Sequence, residues 1–109
     1  MHHIHVYFTA HNKDNALALR DLLRQSFPGI RLGRVHDKPV GPHPSGSFEI
    51  DVSASKYAAL HAFLEQHSFG LTMMIHPVTG DDIADHAEDK IEWINKPVPI
   101  NRQFFRPSP

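Results

Sequence analysis

Residues 2 to 9, HHIHVYFT, alternate strictly: Ile4, Val6 and Phe8 fall on one side, and His3, His5 and Tyr7 on the other. That period of two predicts a half-buried strand whose polar face carries imidazoles. Asn12 or Asp14 then offers an N-cap, and Ala16, Leu19, Leu22, Leu23 and Phe27 recur at three- and four-residue steps until Pro28-Gly29 interrupts them. This predicts an amphipathic helix. Ile30 to His36 reads as a short second strand, followed by DKPVGPHPSG, too rich in proline and glycine for regular structure. Alternation returns from Ser47 to Val52, with Phe48, Ile50 and Val52 opposite Ser47, Glu49 and Asp51. Ser53 or Ser55 can cap a second helix with the stripe Tyr57, Leu60, Phe63 and Leu64, ended by Gly70. A fourth strand, Leu71 to His76, sets Leu71, Met73 and Ile75 against Thr72, Met74 and His76.

The order β-α-β-β-α-β is the ferredoxin-like α+β pattern, a four-stranded antiparallel sheet with two helices on one face. With 109 residues the chain suits a single domain spanning 1–109, its core at about 2–77 and a C-terminal arm at about 78–109. The arm carries Trp93, Ile94, Phe104 and Phe105, too apolar for an idle tail; it is expected to wrap a sheet face or to meet a second copy in a homodimer.

A net charge of −1 supplies no attraction for nucleic acid or an anionic membrane, and neither is expected as a partner. The lack of cysteine excludes disulfide scaffolds, iron–sulfur clusters and thiolate nucleophiles. No stretch approaches the roughly 20 apolar residues of a membrane span, and the first residues lack the apolar region of a secretory signal. A cytoplasmic protein is expected. The departure from average usage is ten histidines, spread along the chain. Imidazole without thiol points to N/O metal chemistry or to acid–base work near neutral pH.

Where that chemistry would gather follows from topology. In the spatial order 4-1-3-2 the first strand lies between the fourth and the third. The face turned from the helices collects His3, His5 and Tyr7, then Glu49 and Asp51, then His76. Two imidazoles and a carboxylate on adjacent strands are the ingredients of a 2-His-1-carboxylate iron site, although a solvated sheet face can carry polar side chains without function. His43, held between two prolines in GPHP, shares the parity of Glu49, but six residues of strand span about 20 Å. It reaches a common ion with Glu49 only if the loop folds back. Asp85-His86 reads equally as an acid–base pair or as the start of a surface helix. His11, His61 and His67 read as solvated or capping residues, and Arg34 has the chemistry to pair a substrate carboxylate.

Taken together, H-x-H-V-Y-F at 3 to 8, G-P-H-P at 41 to 44, F-E at 48 and 49, H-P-x-T-G at 76 to 80, D-H at 85 and 86 and a tryptophan at 93 resemble the DOPA 4,5-dioxygenase family. The resemblance implies an extradiol-type dioxygenase that cleaves a catechol ring, such as that of DOPA, with non-haem Fe(II) and O₂. His5, His43, His76 and His86 match the family's histidines, and Glu49 its F-E. On that basis His5 and His76 are expected to bind metal, with His43 or Glu49 as third ligand. His86 is the favoured acid–base residue with His43 as the alternative, and Tyr7 and Arg34 are expected to contact substrate. The rival expectations are a zinc-dependent hydrolase or isomerase, and a small-ligand or metal-binding module of the same fold.

Overall fold

The computed structural model describes residues 1–105. Strand β1 (His2–Phe8) leads to helix α1 (Lys13–Ser26), a two-residue strand β2 (Arg31–Leu32), strand β3 (Gly46–Val52), helix α2 (Ala54–Gln66) and strand β4 (Met73–Pro77). The expected βαββαβ order is present. A one-turn helix α3 (Asp82–Asp85), strand β5 (Glu92–Ile94) and a 3₁₀ turn (Arg102–Phe105) follow. The sheet runs β2-β3-β1-β4-β5, every neighbouring pair antiparallel.

Alternation determines which side of each strand is buried against the helices. Ile4, Val6 and Phe8 of β1, Phe48, Ile50 and Val52 of β3, and Met73 and Ile75 of β4 pack with Ala16, Leu19 and Leu23 of α1 and Leu60 and Leu64 of α2. A helical period of 3.6 and a strand period of 2 thus meet in one apolar layer. The opposite face holds the odd-numbered polar residues of β1 and β3.

Two elements differ from the sequence expectation. The second strand was expected over 30–36 but stops at Leu32: the Gly33 carbonyl accepts from the Arg20 guanidinium at 2.8 and 3.2 Å. Pairing resumes only as a single bridge between His36 and Ser47. The arm, in turn, contributes a fifth strand, with Ile94, Trp93 and Glu92 opposite Met73, Met74 and Ile75. Past β5 the chain turns at Asn95, which has a φ of 64° and whose Nδ2 donates to the Leu71 carbonyl at 2.7 Å. It then returns across the open sheet face, where the Asn101 N–H donates to the Pro42 carbonyl at 2.7 Å. Among the described residues no helix is long and apolar enough to cross a membrane.

Candidate metal centre

Cross-strand register builds the site. His3 lies opposite His76 on one side and Asp51 on the other, and His5 lies opposite Met74 and Glu49. Directly opposed residues on one face hold their Cβ atoms about 4.5–5.5 Å apart, so these side chains must meet. The Nε2 atoms of His5 and His76 approach to 3.0 Å. One nitrogen each of His3, His5 and His76 lie within 4.8 Å of one another, and His3 also falls within that distance of a carboxylate oxygen of Glu49 and of Asp51. Glu49 Oε1 is 3.9 Å from His5 Nε2.

Two further imidazoles arrive from outside the sheet. The 37–46 loop folds back over the face through a turn in which the His43 N–H donates to the Val40 carbonyl. Its ring centre comes 4.1 Å from that of His5. At the other end the His86 ring, at the C-terminus of α3, lies 3.9 Å from that of His76. The result is a row, His43, His5, His76, His86, with all four members buried. His61 instead contacts Glu65 and Glu92 across the other face of the sheet. His11 and His67 are exposed.

Backbone carbonyls only accept, and this assigns tautomers. His76 Nδ1 is 2.8 Å from the Pro77 carbonyl and must carry a proton, which leaves Nε2 as the lone-pair nitrogen of the neutral ring. His86 Nδ1 likewise donates to the Asp82 carbonyl at 2.7 Å. Of the two readings that the sequence left equal for Asp85-His86, the direct pair is not formed and the short helix is. Asp85 turns away to accept from the Thr79 N–H and hydroxyl at 2.8 and 2.6 Å, bonds that hold its carboxyl below the usual range. It is the backbone of Asp82, not its side chain, that orients the ring.

Tyr7, expected to touch substrate, is buried and places its hydroxyl 2.8 Å from His43 Nδ1 and 3.7 Å from Met74 Sδ. The nitrogen is the stronger acceptor for the single phenolic proton, which leaves Nε2 of the neutral His43 ring as the N–H. Arg34 is exposed at the rim of a cavity of about 180 Å³ lined also by His5, His36, His43 and Glu49.

Burial, with the neighbouring imidazoles adding to it, pushes the His5 ring well below its ordinary pKa. Burial likewise pushes His43 down to about 4. His76 also falls to about 4, burial outweighing the opposing Pro77 hydrogen bond. Glu49 is pushed up to about 7, first by burial and then by the hydrogen bond and charge of Asp51, with Arg31 opposing. Burial raises the Tyr7 phenol. With His76 Nε2 as acceptor, His5 Nε2–H donates across the 3.0 Å gap in the ion-free protein, and a transition-metal ion bound between the two neutral rings would take the place of that shared proton, His5 shifting its N–H to Nδ1. Two ligands about 2.1 Å from one ion stand roughly 3.0–3.4 Å apart in octahedral to tetrahedral geometry, and the His5–His76 separation fits that range. The sequence flagged His3 only as a face residue; its register opposite His76 is what brings it into the donor group.

Known proteins resemble this chain over most of its length. A DOPA 4,5-dioxygenase of Amanita muscaria is 37% identical over 107 residues, covering 91% of this chain and 46% of that protein. An uncharacterized 21.2 kDa protein of Botryotinia fuckeliana is 28% identical over 114 residues, 94% of this chain and 62% of its own length. The chain thus spans about half to three-fifths of the curated relatives it matches. A 1.46 Å crystal structure from Nostoc punctiforme, named as a candidate dioxygenase, superposes with a TM-score of 0.90 at 35% identity, over 95% of this chain and 89% of that one. The model of the Dopa 4,5-dioxygenase family matches residues 2–104, every histidine of the row included, and the chain belongs to that family.

Proposed function

We propose that this protein is a non-haem iron dioxygenase of the extradiol type, acting on a small catechol. The observation that carries this is the 3.0 Å approach of two neutral Nε2 atoms at the centre of a buried imidazole row, in a chain similar to a DOPA 4,5-dioxygenase. His5 and His76 hold the ion, and His3 is the third donor. Glu49, expected as an alternative third ligand, has a carboxyl pushed up to about 7 by burial and by Asp51; it lies 3.3 Å from His3 Nδ1, with Asp51 3.2 Å from Nε2 of the same ring, and the two carboxyls flank that imidazole. His43, the other alternative, turns Nδ1 to Tyr7.

Bound there, Fe(II) would bring catechol and O₂ together and let electron density pass from ring to oxygen, so that a C–C bond beside the diol breaks. The rest falls to the chain's own groups. The cavity beside His5 and His43 takes the substrate's side chain, with Arg34 at its mouth for a carboxylate, so that the diol would lie over the imidazoles toward His76 and His86. His86 Nε2, a lone-pair nitrogen in the neutral ring, removes the phenolic proton. The protonated His86 returns it as the ring opens, while His43 Nε2–H, its Nδ1 held by the Tyr7 hydroxyl, donates a hydrogen bond to the substrate without giving up its proton.

The test is anaerobic loading with Fe(II) followed by oxygen uptake on a panel of catechols. Uptake of one O₂ per ring opened, abolished in His5→Ala and His76→Ala, supports the proposal. Hydrolytic or isomerase turnover with zinc, or tight binding without turnover, would replace it with one of the rival functions.

A further inference from the structure

Neither end of the imidazole row stands on the sheet. His43 sits in a loop and His86 on a single helical turn, so each is only as fixed as what holds its segment. One short stretch touches both. The Asn101 N–H donates to the carbonyl of Pro42, next to His43. Phe104 lies 3.7 Å from where a Cβ on Gly41 would sit, and Gly41 has a φ of 54°. Arg102 Nη1 donates to the His86 carbonyl at 2.8 Å. The Phe105 ring is centred 4.5 Å from the His86 ring, tilted by 34°, and Phe104 and Phe105 pack edge to face at 5.2 Å.

We propose that residues 101–105 form a clasp that sets both end imidazoles of the row, with Arg102 and Phe105 as positioning residues for His86. Arg102 takes the carbonyl and Phe105 covers the ring, while the Asp82 carbonyl fixes its rotation. The Asp82 carbonyl and the Phe105 ring act on the imidazole itself and Arg102 on its backbone carbonyl, and together they hold the direction that Nε2 faces. Arg102 is itself exposed, so removing its guanidinium perturbs His86 without opening the apolar core. The rate effect rests on the ring-cleaving function proposed above; the structural effect does not.

Two measurements on the full-length protein test the clasp. The first follows the His86 Cε1–H resonance by NMR, which the Phe105 ring shifts in the wild type. It should move in Arg102→Ala and Phe105→Leu, return toward the wild-type position in Arg102→Lys, and stay in place in Arg24→Ala on the outer face of α1. The second is kinetic. Arg102→Ala should lower kcat by about ten- to a hundredfold, with KM and iron content little changed, as displacement of a reacting group does. Added to His86→Gln, it should cost less than about twofold more, because both changes act through one residue. An unmoved His86 resonance in Arg102→Ala overturns the clasp, as does an Arg102→Ala effect of equal size with and without His86→Gln. A wild type inert toward every catechol overturns the proposed reaction instead, while the resonance still decides the clasp.

Discussion

At the scale of single residues, the site is organised by what each nitrogen can do. The Pro77 carbonyl makes His76 Nε2 the lone-pair nitrogen, and the same logic applies to His86 through Asp82. His5→Ala and His76→Ala should therefore lose most affinity for Fe(II) in a metal titration, whereas His61→Ala should not, since His61 lies among carboxylates on the far side of the sheet. The two assignments for the third ligand separate in the same assay. His3→Ala should release the ion, and Glu49→Gln should weaken binding by about 10- to 100-fold, as changes to a ligand's hydrogen-bonding partner do. His86→Gln should keep its iron but lose about 10²- to 10⁴-fold in kcat, the usual cost of a missing acid–base group. An iron-free His86→Gln protein would move His86 among the ligands.

At the scale of elements, β1 and β3 matter most because their parity sends the apolar residues to the helices and the imidazoles and carboxylates to the open face. A shift of one residue would exchange the two sets. Gly46, where β3 begins, guards that register: a Cβ there would stand 2.7 Å from the Phe8 ring and 3.0 Å from the His36 carbonyl. Gly46→Ala should destabilise by about 1–3 kcal/mol, an overpacking cost, measurable in urea unfolding. Strict alternation made β1 and β3, and with them His5 and the Glu49 side of the site, legible in the sequence. The break in β2 was not, because it depends on Arg20 reaching the Gly33 carbonyl from a different element. Three-residue β5 is too short to show a period. His43 and His86 were legible as candidates through Gly-Pro-His-Pro and Asp-His, but their closeness to the sheet face depends on loop paths that no periodicity encodes.

At the scale of the whole molecule, the site taxes stability in a pH-dependent way. In the unfolded chain the imidazoles of His43 and His76 titrate near 6.5, and in the folded protein at about 4; His5 shifts the same way. Between those values the unfolded state binds protons that the fold refuses, so metal-free stability should fall as pH drops from about 6.5 toward 4. Glu49 has the opposite sign: its carboxyl titrates near 4.5 unfolded and at about 7 folded, so its contribution is lost as pH rises through that interval. Thermal melting across pH 4 to 8 should show the acid-side decline in wild type, and His43→Gln should flatten it. A metal that binds only the folded state raises Tm, and it should do so more at pH 7 than at pH 5, where protons compete for the same nitrogens. The clasp and the β5 extension belong to this scale as well: Trp93 comes 6.4 Å from Tyr7 and Phe105 packs on His86, so the arm covers its own sheet face. Phe104 stays 57% exposed beside it.

The central claim is that His3, His5 and His76 hold iron for ring cleavage by O₂, and a single anaerobic titration followed by oxygenation tests it most directly. Fe(II) added to the metal-free protein should bind one ion per chain, and mixing with a catechol and oxygenated buffer should then consume one O₂ per ring opened. One bound iron with no oxygen uptake on any catechol, or oxygen uptake that persists after His5 and His76 are both replaced by alanine, would contradict it.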